Sequence, residues 1–404
     1  MKGQANQVRS TYKIASTIAR ADQMRGLPRR PGTSAGRCGS WGPRQFISTG
    51  LAKSAMTGIK AIYQTLTEPS SGWSCAGLAA WCLTGAGIDC RDMRVVVTGG
   101  AGFIGSHLTD AFLARGDDVT VIDDLSAGRP ARLDERVALQ KLSVTDADLL
   151  GQVIDSVGPE LICHLAAQID VRASVARPAA DAQTNVLGTI NVLEAARTAQ
   201  ARVLFCSTGG ALYGRDAPIP SMEDVLPLPE SPYGIAKHCA EQYLGLYNRL
   251  HRTAHSVLRL ANVYGPRQDP TGEAGVVPIF CSQVLAAGRP TVFGDGTQTR
   301  DYVYVGDTVR AFLAAADRRR PGTWNIGTGV EVSVLDLAGV IGDVTGRPVD
   351  YTLAPARPGE LQRSALAVER AHADLGWKAT TALADGIRSV CDWIEAGTPD
   401  RAAC

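Results

Sequence analysis

No stretch of this 404-residue chain reaches about 18 consecutive apolar residues, so no transmembrane helix is expected. Cys75, Cys82 and Cys90 lack the Cys-x-x-Cys spacing of a metal site, and no His pair stands beside them. No metal centre is therefore expected, and the ten cysteines read as free thiols of a reducing, cytoplasmic compartment. A basic excess is also missing where it would matter. Residues 93–404 hold 29 Lys/Arg against 36 Asp/Glu, which excludes the electrostatic footprint of a nucleic-acid or anionic-membrane binder. Residues 1–92 differ, with twelve Lys/Arg against four Asp/Glu, weak hydrophobic periodicity and breaker clusters such as Leu27-Pro28-Arg29-Arg30-Pro31-Gly32. That composition suits a low-complexity, disordered extension; a transit-peptide-like leader and an over-called translation start remain open beside it.

What is present begins at Met93. The hydrophobic content of 45% is enough for a sizeable core. Arg94–Thr98 is an apolar, β-branched run and predicts a buried strand. Gly105–Arg115 predicts a helix, Asp118–Asp123 and Glu160–Leu165 strands, Asp181–Ala199 a helix, Ala201–Ser207 a strand, Tyr233–Leu250 a helix and Ala254–Arg259 a strand. Alternation of buried strands with helices implies an α/β fold with a doubly wound parallel sheet. After about Val263 the elements become shorter and mixed, so a smaller C-terminal α/β part is expected over the carboxyl ends of the strands.

Val97-Thr98-Gly99-Gly100-Ala101-Gly102-Phe103-Ile104-Gly105 follows the first strand and opens the first helix. That context makes it a dinucleotide-binding turn. Gly99 permits the tight turn, Gly102 lets the backbone approach a pyrophosphate, and Gly105 allows close helix packing. Phe103 and Ile104 supply backbone N–H groups at the helix N-terminus. Asp123, with Asp124 beside it, ends the second strand eighteen residues beyond Gly105. A carboxylate there accepts from ribose hydroxyls and repels a 2′-phosphate, so NAD is expected rather than NADP.

Tyr233 and Lys237 stand four residues apart and share one helix face. A lysine ammonium and a nicotinamide cation would both pull the phenol down towards neutrality and make Tyr233 a general acid and base.

These segments, with His164-Leu165-Ala166-Ala167-Gln168, Thr184-Asn185-Val186-Leu187-Gly188-Thr189, Asn262-Val263-Tyr264-Gly265-Pro266-Arg267 and Arg300-Asp301-Tyr302, resemble the extended short-chain dehydrogenase/reductase family. The resemblance runs from Met93 to about Trp393. It implies an NAD-binding Rossmann domain over 93–262, completed by later returning segments, and a nucleotide-sugar-binding part mostly within 263–404. It implies Thr208 as a third catalytic hydroxyl, one position further from Tyr213 than the commonest family pattern, with Ser207 as the fallback. Further NAD contacts would come from Val144, Leu165, Ala166, Ala167 and Asn185, with Ser143 where an acid usually meets the adenine. On the sugar-nucleotide side it implies Asn262, Arg300 and Arg357 at a diphosphate, Glu360 at the uridine ribose, and Val277 and Phe293 around the base.

Within the family the chain looks most like a UDP-sugar 4-epimerase interconverting UDP-glucose and UDP-galactose. Related 4,6-dehydratases carry an Asp-Glu pair just after the catalytic Thr, and related decarboxylases a Glu; here Gly209-Gly210 offer no ionisable group. Ser364, small where a bulky residue restricts acetylated sugars, implies that UDP-N-acetylglucosamine is accepted as well. A uronate epimerase, a decarboxylase, a dehydratase and an inactive NAD-binding regulator remain as alternatives. A homodimer is expected through the helices over 181–199 and 233–250.

Overall fold

The computed structural model describes residues 93–270, 275–357 and 361–397. The reading of residues 1–92 and the assignment of Glu360 lie outside the described residues.

The order of elements is β1 (Arg94–Thr98), α1 (Phe103–Arg115), β2 (Asp118–Asp123), β3 (Ala138–Lys141), α2 (Ala147–Val157) and β4 (Leu161–His164). There follow α3 (Val171–Ala176), α4 (Pro178–Ala182), a π-helical turn (Gln183–Leu187), α5 (Gly188–Thr198), β5 (Arg202–Thr208), α6 (Pro232–His251) and β6 (Ser256–Leu260). The C-terminal part contributes β7 (Asn262–Tyr264), α7 (Val276–Leu285), β8 (Thr291–Phe293), β9 (Thr299–Arg300), β10 (Tyr302–Tyr304), α8 (Val305–Asp317) and β11 (Thr323–Ile326). Last come β12 (Val332–Ser333), α9 (Val334–Thr345), β13 (Thr352–Ala354), α10 (Glu369–Leu375) and α11 (Leu383–Glu395).

Val95, Val96 and Val97 are branched at Cβ and carry no polar group, so they suit a strand buried on both faces. They are fully buried in β1. Each such side chain taken from water contributes about 1.5–3 kcal/mol. β1 lies inside a seven-stranded parallel sheet of order β11-β6-β5-β4-β1-β2-β3. The order reverses between β1 and β4, which is where ligands bind in sheets of this kind.

Boundaries differ from the sequence reading for local reasons. α1 starts at Phe103 rather than Gly105, because Gly102, extended at φ −77°, serves as its N-cap. The helix expected over 181–199 is divided by the π turn, which carries Asn185 buried against the β4 loop. β3 went unread because it lies at the sheet edge and buries almost nothing. α6 matches its expected span within a residue: Ser231 caps it by accepting from Gly234 N at 3.1 Å, and Pro232 stands in its first turn.

Two large apolar cores stand beside a small cluster of Leu212, Tyr213 and Leu366. One lies between the sheet and α2, α5 and α6, with Ile122, Ile162, Val203 and Phe205 at its centre. The other gathers α7, α9 and α11 around Phe280, Leu337, Ile341 and Ile387. Phe103 and Ile104 pack against this second core, so the first turn of α1 joins the dinucleotide loop to the C-terminal part. Val277, expected to frame a nucleobase, is 1% exposed and belongs to this core. Among the described residues no helix is long and apolar enough to cross a membrane.

Candidate active site

The glycine turn closes the switch point. Gly99 adopts φ +71°, and a Cβ there would lie 2.7 Å from Ala166 N, so the β1 and β4 loops touch at this residue. A Cβ on Gly105 would collide with Gly99 O and lie 2.8 Å from Gly100 Cα. Only glycine permits both approaches. α1 then opens with no side-chain cap and no acid in its first turn. Its free N–H groups and positive end suit a pyrophosphate. The cradle therefore fits a dinucleotide by shape and by charge.

Asp123 ends β2, buried, with Oδ2 accepting from Ala101 N at 3.0 Å and Oδ1 from Leu125 N at 2.9 Å. Burial raises its pKa above the ordinary carboxylate value, opposed by these two bonds. The carboxylate thus shapes the glycine turn. Asp124 is exposed and turns away to Ser126. Ser143 bonds Thr145 Oγ1 at 2.9 Å, just beyond β3. Val144 is buried against Gly188.

His164 links three layers. Thr98 Oγ1, accepting from Ala166 N, donates to His164 Nδ1 at 2.7 Å. Nε2 then donates to Thr189 Oγ1 at 3.0 Å, which donates to Asn185 O. That chain assigns the proton to Nε2. Asn185 Nδ2 donates to Gln168 O at 2.9 Å and to Asp181 Oδ1 at 3.0 Å, and its Oδ1 accepts from Gln168 N. Its amide is thus committed to holding the Leu165–Gln168 loop, and Leu165, Ala166 and Ala167 remain partly exposed beside the glycine turn.

Burial lowers the His164 pKa to about 3 and that of His255 to about 4, from 6.5. A histidine depressed in the folded state leaves the unfolded chain binding the extra proton below pH 6.5, so its stability is present above that pH and is lost as pH falls towards 4. For His255, whose Nδ1 accepts from Val203 N at 3.0 Å, the loss is about 1.4 kcal/mol per pH unit. Urea unfolding of the parent and of His255→Gln should show their stability gap narrowing by about 2 kcal/mol from pH 7 to 5. A gap independent of pH would remove this linkage.

Tyr233, Lys237 and Glu241 follow one another at four-residue intervals along α6. Lys237 is 3% exposed, donates to Cys206 O at 2.9 Å, and lies 4.7 Å from the Phe205 ring centre and 6.0 Å from that of Tyr233. Burial depresses its pKa, while Cys206, Asp181 and Glu241 act the other way. The Tyr233 phenol is pushed up from its ordinary value, first by burial and then by Cys206 and Asp181. The expected pull towards neutrality draws on a nicotinamide cation as well as on Lys237, and the protein alone supplies only the lysine. Desolvation of the phenolate is the larger effect in the protein alone, and a cation delivered by a cofactor would have to oppose it.

The two candidate hydroxyls on β5 separate cleanly. Ser207 is buried and donates to Glu241 Oε1 at 2.5 Å. Thr208, partly exposed, accepts from Ala211 N at 3.3 Å and ends the strand. Its turn continues into Gly209, where a Cβ would lie 2.5 Å from Leu366 Cδ1, and Gly210, where a Cβ would lie 3.4 Å from Asn262 Oδ1. Asn262 therefore stands beside the Thr208 turn.

Asn262 N donates to Asp301 O at 2.9 Å, next to Arg300 in β9. The Arg300 guanidinium donates to Thr299 O at 2.7 Å. The Arg357 guanidinium lies over the Phe293 ring at 3.9 Å, so these two predicted residues do come together. Ser364 is buried.

Several supporting residues escaped the sequence reading. Asp301 accepts from Thr328, Gly329 and Leu366 and fixes the loop behind Arg300. Ser174 Oγ accepts from Tyr233 N at 3.2 Å. Glu241 had a signal: it lies one helical turn beyond Lys237. Asp301 sat inside a quoted motif, but its partners are distant in sequence.

The family model described as the NAD dependent epimerase/dehydratase family matches residues 95–327. The UDP-glucose 4-epimerase of Mycolicibacterium smegmatis is 46% identical over 310 residues, covering 75% of this chain and 98% of that protein. A crystal structure of UDP-glucose 4-epimerase with UDP-glucose from Thermotoga maritima superposes with a TM-score of 0.74 at 40% identity, over 75% of this chain and 99% of that one. The Thermus thermophilus UDP-glucose 4-epimerase in complex with NAD gives 0.72 at 38% identity, over 75% and 99%.

Proposed function

The chain belongs to the NAD dependent epimerase/dehydratase family, and from that premise we propose that it is an NAD-dependent UDP-glucose 4-epimerase, interconverting UDP-glucose and UDP-galactose and serving galactose metabolism. One observation carries the choice of reaction. Positions 209, where a side chain would meet the Leu366 δ carbons, and 210 are both glycine, so neither the acid nor the base that water elimination needs follows Thr208. What remains is Tyr233, Lys237 and Thr208, which suffice for reversible oxidation at C4.

NAD would be held by the Gly99–Gly105 turn, the start of α1, Asp123, the Leu165–Ala167 loop and Lys237. When bound, it supplies the hydride acceptor and donor for the sugar C4. Tyr233 takes the proton from O4 and later returns it. Thr208 hydrogen-bonds O4 and keeps it directed at the phenol. Lys237, anchored on Cys206 O, contributes positive charge beside the phenolate. Asn262, Arg300 and Arg357 retain the diphosphate while the 4-keto sugar turns its other face, and Glu360 meets the uridine ribose.

The same reading divides the body into an NAD-binding part over 93–262, with β11 returning to it, and a sugar-nucleotide part mostly within 263–404. It includes a homodimer through α5 and α6, supported by exposed apolar Leu187 at the end of the π turn before α5 and Ile235, Leu246 and Leu250 on α6. Placement in the cytoplasm is supported by five described cysteines that are free thiols.

The test incubates the purified full chain with UDP-glucose, without added NAD, and follows the sugars by proton NMR. UDP-galactose should appear. Turnover of UDP-glucuronate with none of UDP-glucose would replace the substrate, and no turnover of either with NAD supplied would favour the inactive regulator. UDP-N-acetylglucosamine should turn over at a rate comparable to UDP-glucose, because Ser364 is small. Strict rejection of the acetylated sugar would remove that role from Ser364.

A further inference from the structure

Behind the candidate site lies a buried polar network that the chemistry above does not use. Both Glu241 oxygens are engaged: Oε1 accepts from Ser207 Oγ at 2.5 Å and Arg259 Nε at 3.1 Å, and Oε2 accepts from Arg259 Nη2 at 2.7 Å. The Arg259 and Glu241 side chains of this ion pair are 8% and 5% exposed. Arg259 Nη1 continues to Tyr213 Oη at 2.8 Å and to Glu223 O at 3.0 Å. Tyr213 Oη donates to Asn325 Oδ1 at 2.8 Å, and Asn325 Nδ2 donates to Ser221 O and Ala367 O.

Such a network is poorly explained by stability, since an apolar replacement of a buried ion pair often folds as well or better. Its placement is more informative. Lys237 docks on Cys206 and Glu241 docks on Ser207, so two successive turns of α6 are pinned to two successive residues of β5. The next residue of β5 is Thr208, and the preceding turn of α6 carries Tyr233. The two pins fix both the height and the rotation of the helix against the strand.

We infer that Glu241, clamped by Arg259 and Ser207, is a positioning residue that holds Lys237 in place and in its charged form. The inference rests on the reading of Tyr233 and Lys237 as the reacting pair. Burial works against the ammonium, and a fixed carboxylate one turn away works for it. The other groups bearing on Lys237 are the Cys206 thiol on β5, Asp181 on α4, Tyr233 on its own helix and His164 on β4. From α3, Ser174 meets only the Tyr233 backbone. On α5, Glu194 is engaged by Tyr247, nearly four turns beyond Tyr233 along α6.

The test compares the full chain with Glu241→Gln and reads two quantities. One is the titration midpoint of Lys237, followed by carbon NMR of lysine-labelled protein and assigned with Lys237→Arg. The other is the pH dependence of kcat and KM. Glu241→Gln should lower the Lys237 midpoint. It should also reduce kcat about tenfold with KM changed less than about twofold, and bring the alkaline loss of kcat to lower pH. Glu241→Asp, which keeps the charge, should restore the midpoint. A folded Glu241→Gln protein with the parental midpoint and alkaline limb would overturn the inference. Where the single variant fails to fold, Glu241→Gln combined with Arg259→Met removes both buried charges, and a parental Lys237 midpoint there overturns it equally. The midpoint needs no turnover. A lowered midpoint in a protein without 4-epimerase activity would keep the role of Glu241 and remove the substrate assignment instead.

Discussion

Tyr233→Phe is expected to reduce 4-epimerase turnover by about 100- to 10,000-fold, the usual contribution of a positioned general acid and base. The purified protein should still carry NAD. The change removes one oxygen and leaves the ring in its half-buried place. The backbone N–H of residue 233 keeps its bond to Ser174 Oγ, and Ser231 continues to cap the helix. Neither the glycine turn nor the Lys237 anchor on Cys206 involves the phenol oxygen. Loss of turnover with KM for the sugar nucleotide nearly unchanged is therefore the signature to look for, because in the proposed mechanism the phenol acts on the reacting oxygen and not on the UDP anchor. An enzyme that remained active would transfer the proton-handling role elsewhere, with Thr208 the next group to test.

Gly105→Ala is expected to leave the purified protein without its dinucleotide. The added methyl would collide with Gly99 O and sit 2.8 Å from Gly100 Cα, and both obstacles are backbone. No rotamer change relieves such a contact, so α1 must move away from the turn it opens. Overpacking of this kind costs about 1–3 kcal/mol, and at the upper end it weakens NAD binding by about a hundredfold. Gly151→Ala in α2 is the control, since a Cβ there meets nothing within 4 Å. Absorbance of released NAD and the thermal midpoint measure the two effects separately. Full retention of NAD by Gly105→Ala would show that the turn adapts, and the close approach would lose its importance.

The parts of the fold that are legible in the sequence are those with local causes. Val95–Val97 announce a buried strand by composition, and Ser231 with Pro232 announce the start of α6. The glycine turn was readable because its neighbours in sequence are also its neighbours in space. What stayed hidden depends on contacts across long separations. The π turn at Gln183–Leu187 is tied to Asn185 reaching Gln168 and Asp181, which no helical period encodes. The direction of the Tyr233 shift depends on burial assembled from several elements, whereas the four-residue spacing showed only the lysine. Val277 looked like a base-framing residue and is core, because an apolar residue near a site and one beneath it have the same composition.

The return of β11 to the edge of the main sheet bears on how the chain is made. β6 has β5 on one side, and among the described residues its other side is covered by Thr323–Ile326 alone. A ribosome releases about sixty residues after β6 before that partner strand emerges. Until then the nascent sheet carries a bare row of backbone donors and acceptors along a strand that ends up fully buried, the kind of edge that recruits other chains. The dinucleotide half is therefore not a separable cassette. A gene fragment that stops near residue 263 would encode every residue of the glycine turn and of the Tyr–Lys pair, and would still leave its sheet one strand short.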